Sequence, residues 1–170
     1  MAAVDYFLKI DGIPGESKDA KHPDEIQLES WQFGGQNGGT FAFGGGGGAG
    51  KVSMQDFHFT MKVNKATPRL FDAMNRGEHI KQAILTARKA GGMAGSSNAN
   101  YQQDFCIWTF YDILVSSYQT GGSGSGDVLP IDQISLNFSK IQLEYKEQKA
   151  DGSLAPGIKK GVDLKTQQAF

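Results

Sequence analysis

Phe41-Ala-Phe-Gly-Gly-Gly-Gly-Gly-Ala-Gly-Lys51 decides how the rest of the chain is read. It is nearly bare of side chains, yet it joins two segments that read as strands. Its end, Gly45 to Lys51, almost spells a phosphate-binding loop, which needs Gly, four residues, Gly-Lys and then a Ser or Thr for the metal. Here Val52 follows Lys51, and Ser53 comes one place late. A phosphate loop also opens a helix whose N-terminus faces the anion, whereas Lys51 opens an alternating strand. The stretch is therefore read as mechanical rather than chemical.

Outward from it, Gly34 to Gly50 forms a 17-residue connection with ten glycines, in which Phe41 and Phe43 are the large apolar residues. A hairpin needs far less chain, and such long connections are functional or disordered. On the N-terminal side, Val4, Tyr6, Leu8 and Ile10 face one way and Asp5 and Lys9 the other, as in a half-buried strand. Glu25 to Phe33 is a second strand whose apolar parity changes near Ser30, the mark of a bulge or twist. On the C-terminal side, Lys51 to Val63 is a strand with a parity change near Asp56.

Thr67 to Gly77 carries the helix signature: Thr67 as a cap, Pro68 in the first turn, Gly77 past the end. Leu70, Ala73 and Met74 share one face of it. Ile80 to Lys89 returns to strand. Gln103 to Gln119 is apolar on both faces, and its 17 residues would span about 55 Å if straight. A strand of that length must bend. Ile131 to Tyr145 is a further long strand with a bulge expected near Ser139-Lys140, and Ile158 to Thr166 is a Lys-rich edge strand. The pattern specifies a mainly β chain: an antiparallel β-barrel or closed sandwich with one short flanking helix, a single domain over residues 1–170.

Composition agrees. Glycine accounts for 23 of 170 residues, about twice the usual share of roughly 7%. The net charge of −1 offers no basic excess for nucleic acid or anionic membranes. No apolar run approaches the roughly 18 residues of a membrane span. The N-terminus lacks the basic start and long apolar core of a secretory signal, and the single Cys106 excludes an intramolecular disulfide, so the chain is expected to fold in a cytoplasm.

The residue types of catalytic chemistry occur here without the spacing that chemistry needs. His22, His58 and His79 show no metal-ligand spacing, and none neighbours Cys106. His22, before Pro23, is read as holding its loop by hydrogen bonds, and Cys106 as a half-buried hydrophobe. No nucleophile elbow occurs. The expectation is a protein without enzyme activity or cofactor. Trp31 and Phe33 read as core or interface residues. A monomeric lectin-like β-sandwich that stacks sugars on Trp31 is the alternative binding-module reading.

Gly15-Glu-Ser-Lys-Asp-Ala-Lys-His22, Glu25-Ile-Gln-Leu-Glu-Ser-Trp31-Gln-Phe-Gly34 and Gly44 to Lys51 closely resemble the haemolysin-coregulated protein family, Hcp, of bacterial type VI secretion. So do Lys89-Ala-Gly-Gly92, Leu114-Val-Ser-Ser117, Thr120-Gly-Gly-Ser-Gly124 and Gln148-Lys-Ala-Asp-Gly152, nearly end to end and in the same order. Phe33 stands where the family often has a second Trp, and the 91–102 loop looks longer than usual. The resemblance implies a two-sheet β-barrel with one helix, assembled as a hexameric ring. Such rings stack into an inner tube, propelled by a contractile sheath and tipped by a spike protein. It further implies that small effector proteins ride in the ring lumen, and that the chain leaves the cytoplasm without a cleaved signal peptide. By the same resemblance Gln32 matches a lumen position that meets cargo, and its neighbours Gln27, Glu29 and Trp31 are expected at the same surface. Phe41, Phe43, Gly44, Gly45, Gly46, Gly47, Gly48, Gly50 and Lys51 would contact neighbouring copies.

Overall fold

The fold is organised by one bent strand. In the computed structural model, which describes residues 4–39, 50–89, 102–126 and 128–170, β8 (Gln103–Gly121) runs through 19 residues. Its first half pairs with β7 (Ile80–Lys89) and β10 (Lys140–Tyr145), its second half with β9 (Ile131–Asn137). The bend has two visible causes. Asp112 takes a left-handed φ of 54°, and the register against β9 slips between Val115 and Ser117. A strand apolar on both faces can thus serve two sheets.

The larger antiparallel sheet runs β12 (Gln168–Ala169), β11 (Ile158–Asp163), β10, β8, β7, β1 (Val4–Ile10), β2 (Ile26–Gln27). The smaller set runs β3 (Ser30–Gln32), β6 (Phe57–Lys62), β9 and back to β8. The mainly β, one-helix architecture stands as expected. A closed barrel is not what the hydrogen bonds describe: the sheets are open, joined through β8 and through the segment that holds β2 and β3.

Several expected single strands are divided, each for the same reason. Leu28 N–H donates to the Tyr6 carbonyl in the larger sheet, and Glu29 N–H to the Thr60 carbonyl in the smaller one. The parity change near Ser30 is therefore a change of sheet. Likewise the 131–145 strand is two strands, because β9 and β10 follow different halves of β8; Ser139 N–H donates to the Tyr111 carbonyl and its hydroxyl to Asp112 at the corner. The 51–63 strand breaks at Gln55 and Asp56. Its first piece, β5 (Val52–Met54), pairs with β4 (Gly35–Asn37), a strand inside the long 34–50 connection.

The helix, α1, covers Ala66–Arg76. Thr67 is not its cap. Lys65 holds the cap position in a helical conformation without a side-chain bond, and Asn64 before it supplies the capping oxygen, accepting from the Ala66 N–H at 2.8 Å while the Thr67 hydroxyl oxygen accepts from the Asn64 N–H at 3.1 Å. The Thr67 hydroxyl then donates to the fully buried carboxylate of Asp132 at 2.6 Å, which also accepts from Tyr118. At the other end Gly77 sits at φ 59°, and its N–H and that of Glu78 satisfy the Met74 and Ala73 carbonyls, a closure that side chains with a Cβ adopt reluctantly. Leu70 and Ala73 face the core and Met74 packs against it, as their spacing predicts.

The core lies between the sheets and under the helix. Phe57, Phe59 and Phe110 are essentially inaccessible and in aromatic contact, with Leu8, Ile26, Met61, Leu85, Ile113, Ile134 and Leu136 around them. Each such side chain contributes about 1.5–3 kcal/mol by leaving water.

Candidate assembly and cargo surfaces

The smaller sheet is ordered in rows by its register. Trp31, Phe59, Ile134 and Tyr118 stand in one cross-strand row, and their side chains belong to or pack on the core. The rows on either side are Gln32–His58–Ser135–Ser117 and Ser30–Thr60–Gln133–Gln119. Side chains of adjacent residues leave a strand on opposite faces, so these two polar rows share the face away from the core. Between them runs a groove of about 360 Å³. Its chemistry is that of amides, hydroxyls and one imidazole. Ser30 and Thr60 hydroxyls bond at 2.6 Å, and Ser135 joins Ser116 and Ser117. Gln32, His58, Gln119 and Gln133 are exposed there.

The four positions expected at this face do not act as one group. Gln32 lines the groove. Trp31, its neighbour in sequence, turns its indole inward, edge-on to Tyr6 at 5.8 Å and stacked with Phe33 at 6.1 Å. The residue stays partly exposed at the groove while its ring contacts run toward the core. Gln27 and Glu29 border a second groove of about 370 Å³ with Glu16, Lys18, Lys62 and Leu129, where Lys62 pairs with Glu29 at 3.7 Å. Sequence reasoning missed His58, Thr60, Gln119 and Gln133. The signal for them was present: polar residues at every second position of Phe57–Lys62 and Ile131–Asn137, which mark a solvated face.

The glycine-rich stretch emerges from the β4–β5 pair. Gly35, Gln36 and Asn37 face Met54, Ser53 and Val52, and Gln55 N–H donates to the Gly34 carbonyl at 2.8 Å. At Gly50 a Cβ would overlap the Gly38 carbonyl, so only glycine allows the two limbs this close. Lys51 is exposed and immediately precedes β5, so a strand and not a helix follows it. Phe41, Phe43 and Gly44 to Gly48 lie outside the described residues.

A third polar region pins the loop of residues 11–25 to the larger sheet. Arg88, only 4% exposed, reaches Asp5 at 3.3 Å and lies 2.7 Å from Asp19, an ion pair bent away from a linear hydrogen bond. The Phe7 ring lies under the guanidinium and parallel to the His22 imidazole at 4.5 Å. The two His22 ring nitrogens lie 2.9 Å from Glu25 and 3.1 Å from Asp104. His22 therefore holds its loop, as its sequence position suggested. Burial pushes the Asp19 carboxyl up, but Arg88 and the amides of Lys21 and His22 outweigh it and leave the group below its ordinary value. For Glu25 burial wins over His22 and Lys9, and its carboxyl stays above the ordinary value. Burial alone raises the half-buried Cys106 thiol, which makes it a poor nucleophile. Among the described residues no group of three His, Cys, Asp or Glu is placed to hold a metal ion, and no helix is long and apolar enough to cross a membrane.

The family model for the type VI secretion system effector Hcp matches residues 7–145. The chain belongs to the Hcp family. A curated relative, protein hcp1 of Pseudomonas aeruginosa, is 44% identical over 164 residues, covering 96% of each chain. Among solved structures, Hcp1 of Salmonella typhimurium superposes with a TM-score of 0.75 at 33% identity, over 99% of this chain and all of the other. A structure described as a type six secretion system protein reaches a TM-score of 0.88 at 28% identity, again over 99% of this chain and all of the other. Hcp proteins form a structural, secreted tube-protein family rather than an enzyme family, and this chain is a type VI secretion protein of that family.

Proposed function

We propose that this chain is the repeating subunit of a type VI secretion tube. Six copies close into a ring, each contributing its two sheets as a barrel-like wall, and rings stack into a tube beneath a spike protein and inside a contractile sheath. The chain waits in the bacterial cytoplasm and leaves with the tube when the sheath contracts, without a cleaved signal peptide. Small effector proteins ride in the lumen. The observation that carries the cargo part is the polar face of Gln32, His58, Gln119 and Gln133 on a sheet of an Hcp-family chain whose opposite face is apolar. Such a face binds many partners weakly through amide and hydroxyl contacts without demanding one charge pattern.

Negative-stain imaging with analytical ultracentrifugation of the full chain tests the ring. Six-copy rings of one diameter are expected, and a monomer at all concentrations would overturn the reading. Deleting Gly44–Gly48 should leave the β-sheet circular dichroism intact and weaken ring or tube assembly. Gln32→Arg should leave rings intact and reduce retention of a co-expressed effector; unchanged retention would remove Gln32 from the cargo surface.

A further inference from the structure

The base of the glycine-rich arm is held by a residue far from it in sequence. In the antiparallel β4–β5 pair, Lys51 and Gln55 direct their bonding groups toward β4, where Gly38 N–H meets the Lys51 carbonyl and Gln55 N–H the Gly34 carbonyl. Alternation then turns the N–H and carbonyl of Val52 outward, toward what would be the open edge of a two-stranded ribbon. Gln167 occupies that edge. Its side-chain oxygen accepts from Val52 N–H at 3.0 Å and its side-chain N–H donates back to the Val52 carbonyl at 3.4 Å. The same amide nitrogen also donates to the Leu164 carbonyl at 2.7 Å.

The mount behind Gln167 is built, not incidental. Gln167 takes a left-handed φ of 57° in the turn between β11 and β12, a conformation non-glycine residues adopt only where the surroundings hold it. Asp163 closes that turn by accepting from the Lys165 and Thr166 amides, and Leu164 packs against the core with its N–H on the Ser139 carbonyl. Phe170 N–H and carbonyl pair with Gly161, and the ring lies under Lys140 at 4.4 Å. Gln167, Asp163, Leu164, Gly161 and Phe170 lie beyond residue 145, where the family match ends, and they lean on Ser139 and Lys140 within it.

We infer that Gln167 is the positioning residue of the arm: its amide stands in for one residue of a third strand and sets the direction in which the stem leaves the body. A lone two-stranded ribbon is marginal in water, so a bidentate amide at its root decides how ordered the stem is. The consequence for assembly rests on the reading of the arm as a contact between copies.

The test is hydrogen exchange on the full chain, reported as protection factors for residues 34–38 and 50–55, beside assembly by ultracentrifugation. Gln167→Ala should lower protection at Val52 and its neighbours by about tenfold, the effect of losing two modest hydrogen bonds, while the core strands keep theirs. Gln167→Glu supplies the discriminating variant. Ionised, it accepts from Val52 N–H but repels the Val52 carbonyl; protonated below its ordinary value of about 4.3, it donates again. Protection in Gln167→Glu should therefore recover on acidification, and in Gln167→Ala it should not. Unchanged protection in Gln167→Ala, or no acid recovery in Gln167→Glu, overturns the clamp. Lost protection with unaltered assembly supports the clamp and removes the arm from the ring contacts.

Discussion

Around His22 and Arg88, charged groups sit largely out of water and each is met by a partner of opposite or complementary character. Across the Gln32–His58 row, amides, hydroxyls and an imidazole sit in an open groove, and the hydrogen bonds there join hydroxyls to hydroxyls. The two regions draw on similarly polar residues, but burial separates their roles. A charge taken from water must be matched or the fold loses several kcal/mol, so the first region is committed to structure. An exposed amide is already satisfied by water and stays available to another molecule, so the second region is free for recognition.

The largest test of that contrast is Arg88→Met. It leaves Asp5 and Asp19 without their cation and should destabilise the fold by about 3 kcal/mol, the range for breaking a buried pair, measured by urea unfolding. It should also flatten the acid limb. Asp19, held below its ordinary value, contributes stability that is present above the unfolded value of about 3.9 and is lost as pH falls through the lower folded value. Without Arg88 that dependence should shrink; full retention of both stability and acid limb would break the comparison.

Glu25→Gln is a smaller effect with the opposite sign. Burial keeps the Glu25 carboxyl above its ordinary value, so the folded state holds a proton that the unfolded chain releases. From about pH 4.3 up to the raised folded value, stability falls as pH rises. The amide removes that fall and can still accept from His22. The expected change at neutral pH is under about 1 kcal/mol, with a flatter stability curve above pH 4 in thermal melts. Smaller still is Thr60→Ala, which removes an exposed hydroxyl pair with Ser30 and should lower stability by about 0.5 kcal/mol. Last, Gln32→Ala and Gln133→Ala should each change stability by less than about 0.5 kcal/mol. A loss above 1 kcal/mol at either would mean the groove is structural after all.

Much of the fold was legible because alternation at period two survives without knowledge of partners. The strands at 4–10 and 80–89 and the helix ended by Gly77 have the bounds their patterns imply, to within a residue. The breaks at Leu28–Glu29, Gln55–Asp56 and Phe138–Ser139 showed only as parity changes, since a bulge and a change of sheet leave the same trace in a sequence. The polar face was half legible. Gln32 was named, but His58, Gln119 and Gln133 come from three other strands, and only register aligns them. Trp31 and Gln32 were grouped because they are adjacent, which on a strand is the reason they point apart.

The chain's own order of residues determined a glycine-rich, mainly β protein with one short helix, because period-two alternation and the stop at Gly77 are local facts. Its motifs also carried the Hcp resemblance. Tertiary structure alone decided that β8 serves two sheets, that His22 and Arg88 meet four carboxylates, and that Gln167 grips the root of the glycine-rich arm 115 residues away. Those contacts depend on strand register and chain crossings, and a side chain's sequence position does not encode which distant backbone edge it will face.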